Sequence, residues 1–447
     1  MARRKARSDR RAAGGFGRQK PDPVQRHRRR GERGERRTPP LCHCSAGGNR
    51  AARVPEGRRP VARVQGTGAP MTLAVGAPHP FTVHVPDSAI ADLKARLANT
   101  RWPERETVDG WDQGVPLAYA QELAGYWQHQ YDWRRIEARL NALPQFLAEV
   151  DGLDIHFLHL PSANPAARPL ILTHGWPGSV LEFLDVIASL SDDYHLVIPS
   201  LPGYAFSGKP AAAQWSVDHI ARAWDALMQR LGYPRYFAQG GDWGSAVTSA
   251  LGSNHAANCA GIHINMVVGQ PDAATMNDLT PQEQSYLARF GWYQSKDNGY
   301  ATIHATRPQT IGYGLTDSPV GQMCWIVEKL HGWTDCGHEP GGQSVGGHPE
   351  RALSRDAMLD TVSLYWFTAS AASSARLYWH SFRGLVGAPV HVPTGCSLFP
   401  QEILRLSRRW AERRYTHIVH WGEPAKGGHF AAWEQPQLFV AEVRAAL

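Results

Sequence analysis

Arg235-Tyr-Phe-Ala-Gln-Gly240-Gly241-Asp242-Trp243-Gly244 decides the fold, because a strand-like run leads without pause into a turn of small residues around one carboxylate. A strand–turn–helix elbow reads small-x-nucleophile-x-small: backbone approaches backbone there, and the central residue is held in a strained conformation. Gly240, Gly241 and Gly244 meet the steric need, and Asp242 stands where the serine form of the pattern has its hydroxyl. An Asp that merely caps the following helix is the competing reading, and it weakens once the run is set among its neighbours. A carboxylate so placed can displace a group at an sp³ carbon and leave an alkyl ester on the protein.

Outward from the elbow the chain alternates. Leu153-Asp-Ile-His-Phe-Leu-His reads as a strand, and Pro169-Leu-Ile-Leu-Thr as a second that ends in His174-Gly-Trp-Pro-Gly178. A helical stretch over 180–190 precedes the strand Tyr194-His-Leu-Val-Ile-Pro, and a helix over 217–231 leads into the elbow strand. The helix after the elbow ends near Gly252, and Gly261-Ile-His-Ile-Asn-Met is the next strand. Strands alternating with helices at these lengths imply a parallel sheet covered on both faces. The class is therefore α/β, and with the elbow it is an α/β-hydrolase fold: a mostly parallel sheet, helices on both faces, an inserted helical cap and an N-terminal extension.

The core falls in two parts, 153–269 and 388–447, around a cap at 270–387 whose aromatic stripes break the β/α rhythm. After the cap, Val390-His-Val-Pro and His417-Ile-Val-His-Trp resume as strands and 437–446 closes as a helix. The extension, 71–152, opens with Phe81-Thr-Val-His-Val alternating like a strand. Pro86-Asp87-Ser88 then caps a helix that carries Ile90, Leu93 and Leu97 on one face. Two more helical stretches, 117–127 and 133–147, follow without any catalytic pattern.

Composition bounds the rest. With 447 residues, 43% of them hydrophobic, the chain can bury a sizeable core. No run of about eighteen apolar residues occurs, so no membrane span is expected. The six cysteines are scattered apart from Cys42 and Cys44, which argues against a disulfide framework and for a reducing, cytoplasmic setting. Residues 1–70 hold 20 Lys and Arg against 5 Asp and Glu, so the net +7 of the whole chain leaves about −8 for residues 71–447. That arginine-rich segment, almost free of aromatic residues, cannot bury enough apolar surface to offset its ordering entropy, and a disordered basic tail is expected. A nucleic-acid-binding arm, a targeting peptide and upstream sequence read from an early start compete to explain it. Met71, just ahead of the first patterned segment, favours the last, and no nucleic-acid partner is expected.

An ester on Asp242 must be hydrolysed, which requires a base to activate water. In this fold the histidine comes last in chain order, and His429, in Gly427-Gly428-His429-Phe430, lies between the last strand and the last helix. A carboxylate must fix its tautomer; Glu402, Glu412 and Glu423 are the candidates, and spacing after the strand 390–393 favours Glu402. Charge building on the attacked carbonyl needs backbone N–H donors, for which the amides of Trp243 and Trp176 are the expected pair. An ordinary Gly/Pro turn is the bland reading of the Trp176 loop. No cluster has metal-ligand spacing, so neither metal nor organic cofactor is expected.

From about residue 79 to the end the chain resembles the microsomal-type epoxide hydrolases, extension included. The resemblance is carried by Tyr131-Asp-Trp-Arg134, His174-Gly-Trp-Pro-Gly-Ser179, Pro199-Ser-Leu-Pro-Gly-Tyr204 and Gln239-Gly-Gly-Asp-Trp-Gly244. It continues in Thr316-Asp-Ser-Pro-Val-Gly321, Ser373-Ser-Ala-Arg-Leu-Tyr378 and Gly427-Gly-His-Phe-Ala-Ala432. It implies two cap tyrosines that hydrogen-bond and protonate the epoxide oxygen, matching Tyr300 in Gly299-Tyr-Ala-Thr-Ile-His304 and Tyr378. By position alone each is a packing aromatic, with Tyr293, Tyr313 and Tyr365 as rivals. It also favours Glu402 as partner of His429. The tail at 1–70, a short loop at Leu190-Ser-Asp-Asp-Tyr194 and the Gly-rich stretch 336–349 depart from the family pattern.

The expected reaction converts a small apolar epoxide and water to a vicinal diol. Asp242 attacks carbon, Tyr300 and Tyr378 take the oxygen, and His429–Glu402 activate the water. A haloalkane dehalogenase shares the aspartate elbow but needs N–H donors for halide in place of the phenols. A non-catalytic ligand-binding relative would be expected to lose Asp242, His429 or Glu402, and all three are present. The sequence leaves a homo-oligomer open.

Overall fold

Leu170, Ile171 and Leu172, consecutive and fully buried, sit in the middle of the sheet in the computed structural model, which describes residues 73–337, 347–384 and 386–447. An unbroken apolar run marks a strand covered on both faces, and each such side chain contributes about 1.5–3 kcal/mol by leaving water. The tail at 1–70 and most of the Gly-rich stretch 336–349 lie outside the described residues.

The strands are β1 (His79–Pro80), β2 (Gln145–Val150), β3 (Leu153–Leu160), β4 (Arg168–Thr173), β5 (Tyr194–Pro199), β6 (Tyr236–Gly240), β7 (Cys259–Ile264), β8 (Thr394–Ser397) and β9 (Ile418–Gly422). They pair in the order β1-β2-β3-β5-β4-β6-β7-β8-β9. The first three and the β3/β5 pair run antiparallel, and β5, β4, β6, β7, β8 and β9 run parallel to one another. Thr173 at the end of β4 pairs with Gly240 at the end of β6, which pairs with Ile264 at the end of β7. The carboxyl ends of these strands are thus level, which is where open α/β sheets place their sites.

Three helices precede β2: α1 (Asp87–Ala98), α2 (Leu117–His129) and α3 (Trp133–Asn141). Within the parallel part lie α4 (Ile187–Leu190), α5 (Val217–Arg230) and α6 (Trp243–Asn254). Between β7 and β8 come α7 (Pro281–Trp292), a π-helical turn at Tyr293–Asp297, α8 (Gly299–Thr306), α9 (Pro308–Asp317), α10 (Pro319–Trp333), α11 (Arg355–Phe367) and α12 (Ala371–Ser381). The chain ends with α13 (Arg408–Ala411), α14 (Ala431–Glu434) and α15 (Pro436–Ala446). Helix α6 is buried from Trp243 to Gly252 and packs on β4, β6 and β7, so it shows no polar stripe. No helix among the described residues is long and apolar enough to cross a membrane.

Four elements differ from the sequence reading. Residues 81–85 alternate in burial but form no ladder: the Asn141 side chain satisfies both backbone groups of Val83, and Glu137 accepts the Val85 amide at 2.7 Å. The helix expected over 133–147 stops at Asn141 because Pro144 lacks a donor and disfavours helix in Leu143. The chain turns instead into the β2–β3 hairpin, whose Asp151-Gly152 tip has both φ positive, at 51° and 76°; Asp-Gly between apolar runs is a hairpin signal. The helix at 180–190 is a 3₁₀ turn, Val180–Phe183, followed by α4. Its tighter bonds bury Val180, Leu181, Phe183, Leu184, Val186 and Ile187 together. The strand expected at 390–393 gives only an isolated bridge at Val390, and β8 begins after Pro393, which cannot donate to a ladder.

Candidate active site

Asp242 has φ 51° and ψ −127°, a backbone state that costs a non-glycine residue about 1–3 kcal/mol. Its surroundings enforce it. A Cβ on Gly244 would strike the Thr173 carbonyl oxygen, and one on Gly240 the Gly244 carbonyl oxygen. The Ser245 hydroxyl sits at the same joint, 3.0 Å from the Gly240 carbonyl and 2.7 Å from that of Met266. The strand end and the first turn of α6 are therefore locked together, with the buried Asp242 side chain presented between them.

The loop after β4 closes over Asp242. Gly175 has no Cβ because the Asp242 carboxylate occupies that space, and the Trp176 amide donates to Asp242 Oδ1 at 2.8 Å. Trp176-Pro177 is a cis peptide. Ser179 and Glu182 form a capping box at the start of the 3₁₀ turn, and the Tyr365 hydroxyl donates to the Gly178 carbonyl at 2.9 Å. His174 is part of this scaffold: it accepts the Leu201 amide at Nε2, and burial pushes it down to about 4, so it stays neutral. The Trp243 amide opens α6 and has no carbonyl partner within its own helix.

His429 faces the other carboxylate oxygen. Its Nε2 lies 3.3 Å from Asp242 Oδ2 and its Nδ1 2.7 Å from Glu402 Oε1. Glu402 is held in turn by the Ile403 amide at 2.7 Å. Of the rivals, Glu412 pairs with Arg408 and is half exposed, and Glu423 accepts from the Trp421 indole on the surface. Burial alone would lower the His429 pKa, but Glu402 and Asp242 outweigh it and raise it well above the usual histidine value. The His429 amide donates to the Trp333 carbonyl at 2.9 Å. Glu434, which burial pushes up to about 8, accepts the amides of Asp335 and Phe430 and so fixes the loop on both sides. Asp242, His429, Trp176 and Asn265 help to bound a cavity of about 10 Å³, about the room needed for one water.

Two phenols from the helices stand within reach of the Asp242 charge. Tyr300 on α8 stacks on the Trp176 indole at 4.9 Å, and Tyr378 on α12 meets Trp243 edge-on at 4.7 Å. Their rings are 5.8 Å apart at a steep angle. The Tyr378 hydroxyl is buried, and its polar neighbour is the Tyr300 hydroxyl. Burial, and with it the Asp242 charge, raises both phenols well above 10, so they remain neutral donors. Of the other tyrosines near them in sequence, Tyr313 is 70% exposed and Tyr365 supports the Gly178 loop.

Tyr293 is different, because its hydroxyl lies 3.2 Å from that of Tyr300. The sequence reading set it aside as a packing rival, and only the π turn brings the two together. A buried Lys329, paired with Asp297 and Glu328, lies 4.9 Å over the Tyr300 ring, and Asp297 also accepts the Trp333 indole at 2.7 Å. Trp333 packs edge-on against His429 at 5.1 Å. No sequence motif signals this network, since Lys329 and Asp297 sit 32 residues apart.

Comparisons with known proteins agree in direction. Residues 78–183 match the family described as the epoxide hydrolase N terminus, and residues 168–298 the alpha/beta hydrolase fold. A Stigmatella aurantiaca protein is 50% identical over 376 residues, covering 82% of this chain and 83% of the relative. "Epoxide hydrolase 1" of Sus scrofa is 32% identical, covering 82% and 87%. The solved Aspergillus niger epoxide hydrolase superposes with a TM-score of 0.74 at 34% identity, covering 83% of this chain and 95% of that one.

Proposed function

The chain belongs to the microsomal-type epoxide hydrolases and is an epoxide hydrolase, and from that premise we propose the role of each residue in the site. The reading is carried by one observation: Asp242 has its two oxygens in different hands. Oδ1 is fixed by the Trp176 amide at 2.8 Å, while Oδ2 lies beside His429.

Oδ2 attacks an epoxide carbon, the C–O bond breaks, and the oxygen takes the proton of a cap phenol. Tyr300 and Tyr378 suit this because, as neutral phenols raised above 10, they donate without carrying charge into the site. Ester formation removes the Asp242 charge. His429 then loses one of the groups that keep it protonated, gives its proton by way of solvent to the phenolate left by the first step, and becomes a base only when a base is needed. It takes a proton from water, and the hydroxide adds to the ester carbonyl at Asp242. The charge on Oδ1 is met by the amides of Trp176 and Trp243. Collapse frees the diol, which keeps the last hydrogen of the water, and restores the carboxylate beside a His429 protonated once more, so the site ends as it began.

A cavity of about 530 Å³, lined by Val267, Leu287, Phe290 and Leu404 among others, reaches the cap phenols only through Tyr293, beside Tyr300, and Phe382, beside Tyr378; its apolar walls suit an apolar substituent that extends past the phenols.

The test is single-turnover reaction with styrene oxide. His429→Gln should accumulate an ester on Asp242 to one per active site, with steady turnover down by roughly 10⁴ or more. Asp242→Asn should form none. An adduct on any other residue would refute the assignment.

A further inference from the structure

The two cap phenols are not equivalent. Tyr378 Oη is buried with the Tyr300 hydroxyl as its polar neighbour, whereas Tyr300 Oη has a second phenol behind it, lying 3.2 Å from the hydroxyl of Tyr293. Tyr293 opens the π turn, its carbonyl accepting from the Asn298 amide five residues on, and seven residues separate the two tyrosines. Both side chains are 5% exposed, so no bulk water competes for the contact. The Tyr293 side chain also forms part of the wall of the 530 Å³ cavity.

We propose that Tyr293 is a positioning residue: its hydroxyl donates to Tyr300, turns the Tyr300 proton toward the substrate oxygen, and makes Tyr300 the phenol that gives its proton up. The inference rests on the reading of Tyr300 as an acid. A phenol has one hydrogen, so if Tyr300 donates to the epoxide oxygen it cannot also donate to Tyr293. The direction Tyr293 to Tyr300 to oxygen is then the only one consistent with catalysis, and hydrogen bonds in such a chain strengthen one another. When the epoxide C–O bond breaks, the Tyr300 proton passes to the oxygen and the phenolate left behind accepts a charge-assisted bond from Tyr293. His429, once the Asp242 charge is gone, gives its proton by way of solvent to that phenolate, and the proton it later takes from water restores its resting state. Tyr378, with no third phenol behind it, hydrogen-bonds the oxygen and keeps its own proton.

The experiment is a double-mutant cycle on the rate of ester formation, using styrene oxide under single-turnover conditions. Tyr293→Phe keeps the ring and should slow ester formation about tenfold, the lower end for one hydrogen bond to a charged oxygen, while hydrolysis of the ester is unchanged. In a Tyr300→Phe background, where Tyr378 keeps the reaction measurable, adding Tyr293→Phe should change nothing further. An equal slowing in both backgrounds would mean that Tyr293 acts as cavity wall alone, and the proposal would fall. It falls equally if Tyr293→Phe leaves ester formation untouched or slows hydrolysis instead. If Tyr300→Phe itself forms ester at the parent rate, the acid role of Tyr300 is lost, an outcome separate from failure of the Tyr293 contact.

Discussion

The carboxylate side of the site and the phenol side are built by different physics. Asp242, the Trp176 amide, His429 and Glu402 stand on loops that leave level strand ends, and each is tied by a hydrogen bond or ion pair of 2.7–3.3 Å. Tyr300 and Tyr378 come from helices and are positioned by ring contacts of 4.7–6.1 Å with Trp176, Trp243 and each other. Backbone and charge fix the first set; shape alone fixes most of the second. The difference teaches that loss of a polar partner should be catastrophic on one side and graded on the other.

The sharpest way to break this contrast is Glu402→Gln. Turnover should fall by roughly 10³-fold or more, with ester formation by Asp242 proceeding at an unchanged rate. The pH profile gives an independent sign. Burial is the largest influence on His429 and acts downward, while Glu402 is a principal upward one, so its removal should move the acid limb of ester hydrolysis to lower pH. Stability should respond as well. A histidine raised in the folded state stabilises it fully below its unfolded pKa of about 6.5 and loses that support as pH rises through the folded value. The variant should therefore lose most of the parent's alkaline decline in stability. Thermal melts across pH and stopped-flow kinetics would show this, and an unmoved acid limb would remove Glu402 from the base.

On the phenol side, Tyr378→Phe should slow ester formation by about tenfold to a hundredfold, the worth of one hydrogen bond to a developing charge, and leave hydrolysis alone. The Tyr378 hydroxyl makes no well-formed hydrogen bond that holds the fold, so the variant should melt at or slightly above the parent temperature. A loss of 10³ or more would mean that the phenols are not graded supports, and the contrast between the two sides would dissolve.

Legibility in the sequence follows the same division. The elbow could be read because its glycines answer a steric demand of the backbone, and the chain order of Asp242 and His429 follows from strand topology. Glu402 was only favoured among three carboxylates, since spacing says where a loop begins and not where it turns. Tyr300 and Tyr378 came from resemblance, because an aromatic on a helix looks the same whether it packs or donates. Tyr293 was passed over for that reason, and because one extra residue in a π turn leaves no compositional trace. The β2–β3 hairpin, by contrast, is legible: Asp151-Gly152 announces it, although the helical period of 133–141 runs up to Pro144 and masks the stop.

The smallest expected effect tests how much of the carboxylate side depends on any single local bond. Ser179 accepts the Leu181 amide at 3.2 Å, and its own amide donates to Glu182 Oε1 at 3.1 Å. Ser179→Ala removes the first and leaves the second, so it should cost about 1 kcal/mol and lower the melting temperature by about 2 °C or less. Ester formation should change less than about threefold, because the Tyr365 bond to the Gly178 carbonyl and the buried Trp176 ring still hold the loop. Denaturant melts set beside single-turnover rates would separate the two outcomes. A tenfold loss of rate with little loss of stability would mean that the cap itself aims the Trp176 amide at Asp242, and that the carboxylate side is less over-determined than its short bonds imply.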